Sequence, residues 1–214
     1  MSEQPIDAPA LSRPRLTRID GRRLRSERTK QLIVEAYLEL LREGNRGATA
    51  AQIAERAGYS VRSLFERFAD LHALRVMAAD YSLSQSAALA PARHADGDRQ
   101  ARIKSQVETR AGTCERGLVL WRMALFFQRS SDELKQRVRL ARERTIDRLE
   151  LMYKPELSTL TEAARKRLLI ALEALTDFES WARMRHFHML SFEEACTLWI
   201  RAIDRLLPPT PSEP

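Results

Sequence analysis

The sequence predicts an all-α protein, and three observations carry this prediction. Ala, Leu, Arg and Glu dominate the 214 residues, and all four are strong helix formers. Only 7 glycines and 7% aromatic residues are present, which argues against an all-β fold with its many turns and β-formers. From about residue 25 onward, apolar residues recur at three- and four-residue spacing. The length suits one core or a small domain joined to a larger one.

The first 21 residues are predicted to be a disordered basic arm. They contain Pro5, Pro9 and Pro14 and show no apolar periodicity. The formal net charge is +7, and residues 11–30 hold eight Lys or Arg against only Asp20 and Glu27. Such a block attracts nucleic acid or an anionic membrane surface, and a merely solubilising tail is the alternative.

The sequence lacks the usual signals of several classes of protein. No apolar run approaches the roughly 20 residues of a membrane span, and Cys114 and Cys196 do not form a CxxC motif. There is no Gly-rich phosphate loop, nucleophile elbow or HExxH, and His186 and His188 fall on different faces of a helix. We therefore expect a cytoplasmic protein that is not an enzyme, with no cofactor, no metal and no membrane partner.

Capping signals divide the N-terminal part into short helices. A first helix is predicted from about Arg25 to Arg42, ended by Gly44 and Gly47. Thr49 and Gln52 have capping-box spacing, so a second helix should start there and end at Gly58. Ser60 is predicted to cap a third helix through Phe68, and a fourth should run from near Asp70 to Leu89.

The rest of the chain is predicted to be helical as well. A loop at 91–98 precedes it, and Ser191 with Glu194 forms a second capping box. The proline-rich end, 208–214, is predicted to be disordered. The predicted helical segments are 99–111, 115–129, 132–153, 161–188 and 191–207.

The stretch 52–68 is typical of a helix-turn-helix. Ala54 is small enough for two helices to approach, Gly58 tolerates the positive φ of the turn, and Leu64 can pack back on the first helix. An ordinary αα-hairpin would also use Gly58 as a C-cap. The capped start at Thr49, the preceding amphipathic helix and the basic arm favour DNA binding.

Residues 30–75 resemble the N-terminal domain of TetR-family transcriptional regulators. The resemblance implies a three-helix DNA-binding head at 22–70 and a helical effector-binding and dimerisation domain at 71–207. Double-stranded DNA and a second copy of the chain are the implied partners. The residues that carry the resemblance are Gly44, Thr49, Ile53, Ala54, Ala57, Gly58, Ser60, Leu64, Phe65 and Phe68.

The chain departs from the family pattern at several positions, among them the first positions of the recognition helix, Val61 and Arg62, which are usually small or polar. Phe65 replaces a common tyrosine, so a hydroxyl that often contacts phosphate is missing. Arg67 stands where histidine is common, and Leu71 stands where a lysine is frequent. These departures leave DNA binding intact and change which side chains anchor the DNA backbone.

The predicted DNA contacts lie on and before the third helix. Helix N-termini at Thr49 and Ser60 are expected to face phosphates. Arg62 is predicted to bind a guanine edge, and Val61 to meet a thymine methyl. Tyr59 either packs inside the head or donates to a phosphate. The full predicted set is Thr49, Tyr59, Ser60, Val61, Arg62, Ser63 and Arg67.

Two further surfaces are predicted in the larger domain. A homodimer interface is expected on the last two helices, and its alternative is an intrachain core. An effector pocket is expected in the most apolar segment, 117–129, with plain core as the alternative. The residues chosen are Leu175, Phe178, Ala182, Trp199 and Ile203 for the interface, and Trp121, Met123, Phe126 and Phe127 for the pocket.

The resemblance implies a homodimeric repressor that a small apolar or amphipathic ligand releases from DNA. The alternative on the same scaffold is a nucleoid-associated or division-control factor that acts through protein contacts. Neither the ligand nor the operator follows from the sequence.

Overall fold

The computed structural model describes residues 21–89 and 95–211. The predicted arm, apart from Gly21, and the last three residues of the predicted tail lie outside the described residues. Every regular element in the described ranges is helical, which confirms the predicted all-α class. None of these helices is both long enough and apolar enough to cross a membrane.

Four helices form the N-terminal part. The first begins four residues earlier than predicted, and the third ends at Phe65 rather than Phe68. After Phe65 the chain turns: the Phe68 N–H donates to the Leu64 carbonyl, and Asp70 accepts from the Ala73 N–H to start the next helix. The helices are α1 Gly21–Arg42, α2 Ala50–Ala57, α3 Val61–Phe65 and α4 Leu71–Leu89.

A single apolar cluster, here called the head core, holds these four helices together. Ile33, Ile53 and Leu64 have no exposed surface, and Leu74 of α4 is 1% exposed. Met123, from a later helix, belongs to the same cluster. The head core therefore includes Leu74 and Met123, which lie beyond the predicted head, residues 22–70.

Six more helices and one π-helical turn make up the C-terminal part, here called the body. They are α5 Arg99–Phe127, α6 Asp132–Met152, α7 Lys154–Leu157, α8 Glu162–Leu175, α9 Phe178–Ala182, the π turn Arg183–Phe187 and α10 Phe192–Leu206.

Two predicted boundaries in the body are corrected. The segments 99–111 and 115–129 are one 29-residue helix, because Ala111, Cys114 and Leu118 continue one buried stripe past Gly112. Burial of that stripe outweighs the roughly 1 kcal/mol cost of an internal glycine. The predicted helix 161–188 is instead broken at Asp177, whose carboxylate caps α9 by accepting from the Ser180 N–H at 2.6 Å.

The body has its own core. Trp181 and Trp199 lie at its centre with ring centroids 4.9 Å apart. A buried ion pair closes one side, where the Arg102 guanidinium donates to both carboxylate oxygens of Glu156 at 2.6 and 3.1 Å. The head core and the body core share α5, which contributes residues to both.

Candidate nucleic-acid interface and ligand cavity

The turn between α2 and α3 has the geometry that the sequence predicts. Thr49 caps α2 in a complete capping box with Gln52. Gly58 ends α2 at φ +73°, a left-handed conformation that costs a residue with a Cβ about 1–2 kcal/mol. The Ser60 hydroxyl then accepts from the Ser63 N–H at 3.1 Å and starts α3. These contacts fix the angle at which α3 leaves the turn.

One side of α3 is buried and the opposite side faces solvent. Leu64 is completely buried in the head core. Val61 and Phe65 are 38% and 46% exposed, although both are apolar. The Arg62 side chain is 90% exposed, and its Nε lies 3.1 Å from Glu66 Oε1. The outer face of α3, defined as Val61, Arg62 and Phe65, is therefore open to a large partner.

Two predicted contact residues have partners within the head. Arg67 belongs to the predicted DNA-contact set, but its side chain is only 22% exposed. Its Nη1 donates to the Ser63 carbonyl at 2.9 Å, because the short helix leaves that carbonyl free. Tyr59 packs against the head core, and its hydroxyl oxygen lies 3.4 Å from Thr29 Oγ1. This position agrees with the packing alternative for Tyr59.

The five residues predicted for the dimer interface lie inside the body, which corrects that choice. Phe178, Ala182, Trp199 and Ile203 are at most 7% exposed, and Leu175 packs against the same core. The apolar stripes seen in the sequence are the core-facing sides of these helices. The outward sides carry Ile170, Leu198 and Leu206 at 54%, 47% and 47% exposure.

A shallow groove follows the outward side of α10. Its lining has acidic residues near the start of the helix and basic residues near its end. Phe187 and Met189, in the segment that leads to α10, are each 77% exposed. The groove is lined by Leu190, Glu193, Glu194, Thr197, Leu198, Arg201, Ala202 and Arg205.

A cavity of about 730 Å³ lies between α5 and α6 and reaches α1 and α4. Of the four residues chosen for the pocket, Trp121 lines this cavity. The other three residues chosen for the pocket do not: Met123 and Phe127 pack with the head core, and Phe126 is 75% exposed. They occupy the sides of α5 that turn away from α6.

The cavity is also lined by polar residues, among them Arg110 and Arg148, that the sequence analysis did not select for the pocket. Arg110 and Arg148 lie on facing helices, and Phe178 stacks on Trp121 with ring centroids 4.7 Å apart. The only sequence signal was helical spacing along α6, where Arg137, Ala141 and Arg148 share a face. That spacing shows a common face but does not show what the face encloses.

Comparison with known proteins identifies the fold. The chain matches the crystal structure of a provisionally assigned TetR-family transcriptional regulator from Rhodococcus sp. with a TM-score of 0.63. The match covers 85% of this chain and 100% of that one at 17% sequence identity. No family model matches the chain, and no curated protein does. The chain therefore has the fold that the sequence resemblance predicted.

Proposed function

We propose that the protein is a sequence-specific DNA-binding transcriptional regulator. The observation that carries this proposal is the outer face of α3, which a capped helix and a left-handed glycine hold rigidly and which presents Arg62 to solvent. A helix displayed in this way fits the DNA major groove, where a guanidinium can grip guanine O6 and N7 together. The fold shared with a regulator supports the same conclusion.

The remaining contacts follow from this placement. Four further residues remain predicted DNA contacts: Thr49, Ser60, Val61 and Ser63. Val61 is exposed beside Arg62. Arg67 is proposed to support α3 and to reach phosphate only at its edge, because one nitrogen is already bonded to Ser63. The head is proposed to comprise residues 22–70, and the body 71–207.

Selection of binding sites from random DNA tests the function. Wild-type protein is expected to enrich one consensus, whereas Arg62→Ala loses preference at one base pair and about 1–3 kcal/mol of binding free energy. Arg139→Ala is a matched control, since Arg139 is 80% exposed and also pairs with a glutamate four residues later. It should leave the consensus unchanged. No enriched sequence for the wild type would overturn the function, and an unchanged consensus for Arg62→Ala would overturn the assignment of Arg62.

The regulator is proposed to act as a homodimer through the outward sides of α8 and α10. The groove on α10 is self-complementary, because Glu193 and Glu194 precede Arg201 and Arg205 along the same helix. A two-fold axis brings such opposite charges together, and the exposed Leu198 lies between them. One α3 contacts few base pairs, so a dimer with two reading helices supplies the specificity.

Sedimentation of a single variant tests this interface. Leu198→Glu is expected to convert the dimer to a monomer, because a buried unpaired carboxylate would face its own copy across the axis. Leu24→Glu is the control, since Leu24 is 56% exposed on α1. A wild-type monomer, or a Leu198→Glu dimer of unchanged affinity, would contradict the proposed interface.

Release by a ligand is proposed to use the cavity. Leu38 and Leu41 of α1 and Ala79 of α4 line it, so an occupant touches helices that carry the head. Val119 and Leu120 of α5 line the cavity and also pack on the head core. Movement of these helices would change the separation of the two reading helices and hence the affinity for DNA. Repression as the default activity follows the family resemblance.

A further inference from the structure

We propose that the cavity binds an amphipathic anion, in which an oxoanion group is attached to an apolar chain or ring. This inference rests on the proposed function only for its regulatory meaning; binding itself is a property of the cavity. The volume of about 730 Å³ falls within the range of roughly 300–1,000 Å³ that small-molecule sites occupy. The chemistry of the walls decides the class of ligand.

The lining is strongly cationic. It contains six arginines and a single acidic residue, Asp147; Asp147 and three of the arginines, Arg42, Arg116 and Arg144, are exposed to solvent. Asp80 neutralises Arg137 through two bonds of 2.9 and 3.0 Å. Within the described ranges, no carboxylate forms an ion pair with Arg110 or Arg144. The charge of Arg110, which is partly buried, is thus left for a bound anion to balance.

Polar and apolar residues are separated along α5. Gln106, Thr109 and Arg110 line the early part, whereas Leu120 and Ala124 line the late part, up to about 27 Å away along the helix. The short turn after α5 makes α6 antiparallel, so late α6 residues face early α5 residues. The bond of 2.6 Å from Arg148 Nε to Gln106 Oε1 shows this pairing. The cavity therefore has one polar end and one apolar end.

At the polar end, two guanidinium groups are held in place from facing walls. Arg110 Nε donates to the Thr176 carbonyl at 2.7 Å, and the guanidinium lies 4.8 Å from the Phe178 ring centroid. Arg148 donates to Gln106 and, at 3.4 Å, to Thr109 Oγ1. Burial lowers the pKa of the Arg148 guanidinium, so a neighbouring anion would stabilise its charged form. Arginine forks suit carboxylate and phosphate oxygens.

The apolar end of the cavity determines that the rest of the ligand is apolar. Leu38 and Leu41 of α1, Val138 of α6 and Trp121 of α5 form its walls, and Phe178, which stacks on Trp121, lies between the two ends. A hydrocarbon chain or aromatic ring that buries its surface there gains about 25 cal/mol of free energy per Å² of apolar surface. A cationic ligand would meet the arginines, and a neutral one would place no negative charge beside Arg110. Only an amphipathic anion satisfies both ends.

A series of ligands with one ten-carbon chain tests the proposal on the full-length wild-type protein without DNA. Decanoate, decyl phosphate, decanol and decyltrimethylammonium are titrated by calorimetry below their micelle concentrations. Decanoate or decyl phosphate is expected to bind about tenfold or more tightly than decanol, and the cation more weakly still. The stronger of the two anions identifies a carboxylate or a phosphate head. Equal binding of decanol, or no binding by any of the four, would overturn the proposal.

A charge-removing variant locates the head group. Arg148→Met is expected to weaken the preferred anion about tenfold or more while changing decanol affinity less than twofold. Arg139→Met is the control on the same helix, exposed and outside the cavity. Anion binding that is unchanged in Arg148→Met contradicts the proposed orientation. The wild-type ligand series still decides the ligand class if thermal melting shows that Arg148→Met does not fold.

Separate measurements distinguish this inference from the proposed function. Calorimetry reports the ligand and site selection reports DNA, so each can fail alone. Anion binding without any DNA consensus would sustain the cavity and overturn the regulator. A DNA consensus without anion binding would do the reverse. Where both hold, saturating decanoate or decyl phosphate is expected to weaken operator binding.

Discussion

The outer face of α3 and the walls of the cavity both use arginine, in opposite surroundings. Arg62 is 90% exposed, held only by an ion pair with Glu66. The partly buried Arg148 donates to Gln106 and Thr109, and Arg110 donates to a backbone carbonyl. The same guanidinium is thus free to reorient in one region and preorganised in the other.

The difference shows how surroundings fit one side chain to two kinds of anion. DNA is long and its charges are fixed, so an exposed arginine can reach it, and salt screens the attraction. A small anion must enter a site of lower dielectric, where the attraction is stronger but both charges lose water. The Thr176 carbonyl orients the Arg110 guanidinium without cancelling its charge.

A change in ionic strength should produce the largest difference between the two regions, because it should alter DNA affinity far more than decanoate affinity. A protein that contacts six to ten phosphates loses on the order of 10³–10⁵-fold in DNA affinity between about 50 and 200 mM salt. We expect a loss on that scale for the selected DNA site. Decanoate affinity should change by less than about threefold, because the cavity shields the ion pair from salt. Fluorescence anisotropy for DNA and calorimetry for decanoate measure both slopes. Equal slopes would show that the cavity charges are as exposed as those on α3.

A core substitution in the head should affect one region and spare the other. Leu64→Ala removes a fully buried side chain beneath α3 and should cost about 2–5 kcal/mol of head stability. All three tryptophans lie in the body core, so their fluorescence reports the body alone. We expect the urea midpoint by circular dichroism to fall further than the fluorescence midpoint. DNA binding should weaken while decanoate binding persists.

Leu24→Ala is the control for this experiment, because Leu24 is mostly exposed on α1 and should change stability by less than about 0.5 kcal/mol. Equal shifts of the two midpoints in Leu64→Ala would mean that the head and the body unfold as one unit. The packing of Met123 against the head core is the contact that would transmit such coupling.

Local signals predicted the head in detail. The capping box at Thr49, the left-handed Gly58 and the cap at Ser60 each depend on residues within a few positions, and each occurs as expected. The burial of Leu64 also follows from helical spacing. The orientation of Arg67 did not, because it depends on α3 ending early enough to leave the Ser63 carbonyl free.

For the body, the sequence predicted that the elements are helices but not what each helix face packs against. The sequence by itself determined that the chain is helical, where the capped helices begin, and which stripes are apolar, since these follow from propensity and period. Only the tertiary structure decided what each stripe meets. Phe178 and Trp199 are buried in the body core, and Arg110 and Arg148 line one cavity. The physical reason is that helical spacing fixes which residues share a face, whereas the partner of that face depends on packing between helices distant in sequence.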